Sequence, residues 1–164
     1  MRLRIALLPA VVVTLASVGL LAVPSANAST AAKKTPTITC KKFTGNLDGG
    51  NGTLSGCSDK ANTGGSGTFP PSSVEESSGT ITWNQTGTTD LDNFIGNGVS
   101  PSACKHSNPE DQVTGDVSGG TGAAATSIPD GDTLTVYLCI NASTGAVTLA
   151  PNTKFTIAPP SVSS

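Results

Sequence analysis

The sequence predicts an all-β domain: an antiparallel β-sandwich or small barrel of about seven to eight short strands, braced by two disulfides. Three observations lead there. Apolar residues alternate with threonine and other polar residues in short runs, the period of strands with one buried face. Turn-forming residues punctuate those runs, with 19 glycines and 11 prolines in 164 residues. Four cysteines, Cys40, Cys57, Cys104 and Cys139, form an even set suited to two crosslinks.

At the N-terminus Arg2 and Arg4 precede an apolar run from Ile5 to Val23, then Ala26-Asn27-Ala28, the small-residue pattern of a cleavage site. Residues 1–28 are read as a secretory signal peptide; Pro9, Ser17 and Gly19 weaken the alternative of a retained membrane helix. Residues 29–36 are expected to be a flexible tether, residues 37–158 a single all-β domain and residues 159–164 a disordered tail. The expected location is extracellular or cell-wall associated, with no stable membrane insertion once the leader is removed. Beyond the leader, seven lysines face eleven acids, a net charge of −4. No basic stripe exists to neutralise phosphates, so nucleic acid is not an expected partner. Leu, Ile, Val and Phe make up only 23 of those 136 residues. Such a thin core needs support, and two disulfides in an oxidising compartment contribute about 2 to 4 kcal/mol each.

Taken in order, Ile38–Leu47 and Asn51–Cys57 flank Asp48-Gly49, a favoured two-residue hairpin turn. Closing on that turn places opposite each other residues whose numbers add to 97, which brings Cys40 to Cys57 and Phe43 to Leu54. The cysteines then occupy a non-hydrogen-bonded pair, where Cα atoms approach to about 4.5 Å and a disulfide fits. Cys104 is left to join Cys139. Strict alternation puts Phe43 and Leu54 on the face opposite the cysteines, so either the disulfide lies outside or a bulge intervenes. Residues 58–67 read as a loop, Pro70-Pro71 exclude a central strand at that point, and residues 74–78 suit a short helical turn.

The next strand is Gly79-Thr-Ile-Thr-Trp83, with Ile81 and Trp83 on one face; after a turn over 84–87, residues 88–91 pair back. Residues 92–108 read as a long irregular connection, 113–117 as a strand and 119–127 as a flexible loop. The clearest alternation is Leu134, Val136, Leu138 and Ile140 against Thr133, Thr135, Tyr137 and Cys139. A hairpin through Ala142–Gly145 sets Ile140 opposite Val147 and Leu138 opposite Leu149. A second tight turn at Pro151-Asn152-Thr153 sets Leu149 opposite Phe155 and Val147 opposite Ile157, completing a three-stranded meander.

Chemistry is sparse. His106 is the only histidine and the cysteines are expected to be paired, which leaves no route to a usual nucleophilic triad or catalytic zinc site. No metal and no cofactor are expected; Asp90, Asp92 and Asn93, and Asp130 with Asp132, match no EF-hand loop and read as turns. Glu75 and Glu76 are neighbours that point apart on an extended chain. Trp83 and Tyr137 are the rings able to stack on a sugar, with Trp83 read as core. The surface favoured for binding is the outer face carrying Thr133, Thr135 and Tyr137, together with His106 on the loop tethered through Cys104.

Gly52-Thr-Leu-Ser-Gly-Cys57, Thr63-Gly-Gly-Ser-Gly-Thr-Phe69, Gly79-Thr-Ile-Thr-Trp83 and Leu149-Ala-Pro-Asn-Thr-Lys-Phe155 resemble segments of small secreted actinobacterial proteins with no assigned activity. The resemblance implies export and a β-rich fold and brings no catalytic residue. The expected function is a non-enzymatic extracellular or surface-associated protein, a binding or structural module for a glycan or protein. The alternatives are a carboxylate-based, glycosidase-like hydrolase using Asp90, Asp92 or Glu110, and a protease inhibitor presenting the disulfide-braced loop.

Overall fold

The computed structural model describes residues 36–161. The leader read over residues 1–28, nearly all of the tether and the last three residues of the tail lie outside that range. Ten strands run in chain order: β1 (Ile38–Cys40), β2 (Lys42–Asn46), β3 (Gly52–Ser55), β4 (Ser66–Phe69), β5 (Ser78–Trp83), β6 (Gly87–Gly98), β7 (Glu110–Thr121), β8 (Thr133–Ile140), β9 (Ala146–Leu149) and β10 (Phe155–Ala158). Three short helices, α1 (Lys60–Thr63), α2 (Ser73–Glu76) and α3 (Gly122–Ser127), and a 3-10 turn over Lys105–Ser107 complete the elements among the described residues.

The sheet closes on itself. Strands β2 to β8 pair antiparallel in sequence order, and β9 pairs with both β8 and β2. Two of the barrel's staves are split. β9 and β10 lie in line along one edge of β8, and β1 continues β2, since Ile38–Cys40 pair with β10 as Thr44–Asn46 pair with β9. Counted as staves, the ten strands make a closed, eight-stranded, up-and-down antiparallel barrel, which is the barrel rather than the sandwich of the two expected forms. Ser58 N–H donates to Thr39 O at 2.8 Å, so the far edge of β1 is also occupied. Among the described residues, closure leaves no long free strand edge.

The first hairpin has the register read from its turn: Lys42 faces Ser55, Phe43 faces Leu54 and Thr44 faces Thr53. The bulge is how it resolves its conflict of faces. Lys41 and Lys42 are both exposed between buried Cys40 and Phe43, and Ser55-Gly56 separates buried Leu54 from Cys57. One extra residue on each side preserves the register while turning both pairs inward, and Gly56 takes φ +64° to do so. Cys40 is bonded to Cys57 inside the core, and Cys104 to Cys139. Two disulfides mark a protein of an oxidising environment.

The meander is half right. Leu138 faces Leu149 and Ile140 faces Val147, as the alternation predicts, and Gly145 takes the positive φ of the turn at +67°. β9 and β10, however, do not pair with each other: Phe155 faces Cys40 and Ile157 faces both Ile38 and Leu134. Between Leu149 opposite Leu138 and Thr156 opposite Thr135, seven residues of advance span three on β8, so four are looped out around Pro151. Ala150 N–H still bonds Tyr137 O at 2.9 Å, and Thr153 closes back on Ala150 O. The turn therefore ejects a loop without reversing the chain.

Other corrections follow from glycines that the strands tolerate. Residues 92–98 continue β6 past a bulge at Asn93 (φ +53°), burying Phe94 and exposing Ile95 at 58%. A Cβ at Gly115 on β7 would stand 2.6 Å from the Phe94 ring, so the ring lies over that glycine. β7 runs on through Thr121, and the segment expected to be a flexible loop becomes α3, with Ala124 buried. The stretch over 58–67 contains α1 and the start of β4.

Inward residues from every stave form one core in which Phe43, Phe69, Phe94 and Phe155 pack with ring centroids 5.9 to 6.4 Å apart. Trp83 is buried there and donates its indole N–H to Thr89 at 2.8 Å. Outside, Thr148, Thr44, Thr53, Thr68, Thr82, Thr88 and Thr121 face one another in turn across seven strands. Such cross-strand pairs contribute roughly 0.2 to 1 kcal/mol each and suit β-branched residues on a wet face.

Two predictions concern stability. The double variant Cys40→Ala/Cys57→Ala should lose about 2 to 4 kcal/mol of unfolding free energy in a urea titration, because it frees the unfolded chain and thins the core. Asp132, only 3% exposed, has a carboxyl oxygen with no hydrogen-bond partner, and burial pushes its carboxyl above the ordinary value of 3.8. A raised native value means stability is lost as pH climbs from the unfolded value through the folded one. Asp132→Asn should therefore stabilise at pH 7 by about 1 to 3 kcal/mol, with the gain vanishing as pH falls below the ordinary carboxylate range.

Candidate binding pocket at the barrel mouth

The barrel has two unlike ends. At one, the turn from β5 to β6 and the segment from β7 to β8 carry α3, whose Ala124 N–H bonds Thr86 O and whose Ala124 and neighbouring Ile128 are buried. The two ends of the described chain leave here, beside the Ile38–Ile157 pair. At the other end, four connections rise from β2, β4, β6 and β8, and between them the barrel interior opens.

The opening comes from missing side chains. On β6 the inward positions after Phe94 are Gly96 and Gly98, which face Val113 and Asp111 of β7. A Cβ placed on Gly96 would meet nothing within 4 Å, whereas one on Gly98 would lie 3.7 Å from a carboxylate oxygen of Asp111. Below this gap lies a cavity of 160 Å³. Its walls are Val113, Leu138, Ile140 and Val147 from three strands, with Leu47 and Pro71 from the connections also lining it. Its polar lining is the pair of acids Glu75, exposed on α2, and Asp111, half-buried on β7. A concave apolar chamber with a few polar groups at its lip, in the mouth of a β-barrel, is a common form of small-molecule site.

The surface read from the sequence is located but not gathered. Thr133, Thr135 and Tyr137 do lie on the outer face of β8, each half-buried, beside Asp116, Thr114 and Gln112 of β7. His106 is exposed on the 3-10 turn with φ +59°, two residues beyond Cys104. None of these four residues lines the mouth cavity. Trp83 is in the core, which removes one of the two rings considered for sugar stacking. Among the described residues no group of three or more His, Cys, Asp or Glu side chains is placed to hold a metal ion.

The acids considered for hydrolysis lie outside the mouth cavity. Asp90 accepts from Thr80 Oγ1 at 2.9 Å on the outer wall. Glu110 is buried beneath the loop over 99–109, where its carboxylate accepts from Ala103 N–H at 2.6 Å. Asp90 faces Gly119, nine residues along β7 from Glu110, so the two stand roughly 30 Å apart along the strand. That exceeds the spacing of a glycosidase pair. Asp92 faces Asp116, whose carboxylate accepts from Asn93 at 3.2 Å, also on the convex outer wall. The loop itself is fastened to that wall at two points, Cys104–Cys139 and Ala103–Glu110, and turns at Lys105–Ser107, where His106 takes φ +59°.

The pocket residues missed from the sequence were in view as core: Leu138, Ile140 and Val147 belong to the predicted buried face. The overlooked signal was Phe94-Ile-Gly-Asn-Gly98, an alternation whose inward places fall to glycine. Comparison of the chain with protein-family models, with curated proteins and with solved structures gave no match.

Glu110→Gln should loosen the loop without altering the barrel. Amide hydrogen exchange at Ala103 and Cys104 is expected to quicken several-fold while protection in β7 and β8 is retained.

Proposed function

We propose that this chain is an exported, non-enzymatic binding protein that takes a small apolar guest into the mouth of its barrel. One observation carries the reading: Gly96 leaves a concave, mainly apolar space, partly open to solvent, where the strand's alternation calls for a side chain. Packed interiors do not keep such space without cost, since unfilled volume forfeits dispersion contacts. Export is supported by the leader pattern over residues 1–28 and by the two disulfides. A cavity of 160 Å³ is small beside the usual range of about 300 to 1,000 Å³ for drug-sized ligands, which points to one ring or a short branched chain.

The test is a titration of isotope-labelled protein with cyclohexanol, followed by amide chemical shifts. Shifts are expected to centre on Gly96, Val113, Leu138 and Val147. Gly96→Leu should fill the cavity, leave the unfolding free energy equal or higher, and weaken binding about tenfold or more. Shifts centred elsewhere, or unchanged binding by a folded Gly96→Leu protein, would overturn the pocket reading.

A further inference from the structure

The chemical class of the guest is legible in the lip of the cavity. This inference rests on the mouth being a ligand site and goes on to specify what the ligand must carry. Among the described residues, two of those lining the cavity are acids and none is basic. Asp111 shares the inward side of β7 with Val113, one pleat nearer the solvent, and its carboxylate leans over the gap at Gly98. Glu75 reaches the same lip from α2. Gly145, in the neighbouring β8–β9 turn, lies against the carboxylate of Asp48, which adds a third acid to this end of the barrel. Below them the side chains of the described lining residues are aliphatic and offer a buried head group no polar partner.

We infer that the mouth selects a small cationic amphiphile: a protonated amine whose apolar body, about six to eight carbons, fills the chamber while its ammonium sits between Glu75 and Asp111. The size follows from the volume, since an apolar cavity of about 150 Å³ accommodates benzene. The orientation follows from desolvation: an ammonium at the lip keeps water and gains two acids, whereas the same group at the aliphatic floor would lose its hydration without compensation. A carboxylate-headed guest of equal body meets repulsion at the same place. A neutral alcohol meets neither effect and serves as the reference.

Cyclohexylammonium, cyclohexanol and cyclohexanecarboxylate present one body with three heads. Titrated at low ionic strength, cyclohexylammonium should bind about tenfold tighter than the carboxylate, with the alcohol between them. Raising the salt to 0.5 M should compress that range, because lip charges are screened while the chamber is not. The variant Glu75→Gln/Asp111→Asn should bind all three within about twofold of one another. Equal binding of the three by the unaltered protein, or preference for the carboxylate, overturns the cationic guest while leaving the pocket reading in place. Failure of all three to bind at the mouth overturns both. A double variant that retains the ammonium preference also overturns the assignment of Glu75 and Asp111 as its source.

Discussion

Closure of the sheet along β8 is the constraint on which the rest of the molecule depends. One edge of β8 is held by β7 over its length, and the other is shared by β9 and β10, each a few residues long. A chain with so few large apolar side chains cannot cover two separate sheets, but a sheet rolled on itself buries every inward side chain against the others. The seam Ile38–Ile157–Leu134 and the seam Val147–Ile140 are where that enclosure is completed. Break either, and the inward faces of both split staves meet water.

Splitting the first and last staves lets short sequences of different register meet. Lys41 adds one residue to the β1–β2 stave, the loop at Pro151 adds four to the β9–β10 stave, and Gly56 matches Lys41 from β3. These insertions set which residues face in, and they bring Cys40 and Cys57 into the core beside Phe43 and Phe155. The second disulfide works on the outer wall. With Glu110 it lays the β6–β7 connection against the barrel's side, so that loop does not fall across the mouth.

The mouth is a consequence of the same economy. Strands β6 and β7 are the longest, and beyond Phe94 the inward places of β6 are glycine, so the barrel wall continues there while its filling stops. The four connections at this end are rich in polar and small residues; one supplies Glu75 and strand β7 supplies Asp111, and among the described residues no base joins them in the lining. An aliphatic chamber under an acidic lip follows from those two facts of sequence, once the strands are assembled.

The sequence by itself determined the all-β class, the first hairpin's register, the pairing of Leu138 and Ile140 with Leu149 and Val147, and the cysteine pairs. The hairpin registers and the Cys40–Cys57 pair rest on contacts between residues close in the chain, where alternation and turn chemistry specify geometry, and Cys104–Cys139 followed as the one pairing left. It did not determine which strands flank β10, that residues 92–98 and 118–121 extend long strands, or that 122–127 fold as a helix. Those depend on partners far away in the chain: Phe155 is placed by Cys40, Phe94 by the bare backbone of Gly115, and α3 by the pole it covers. The pocket was hidden for the same reason. Leu138, Ile140, Val147 and Val113 are plain core residues until the structure sets them around Gly96, and only then does the absence of one side chain become a space.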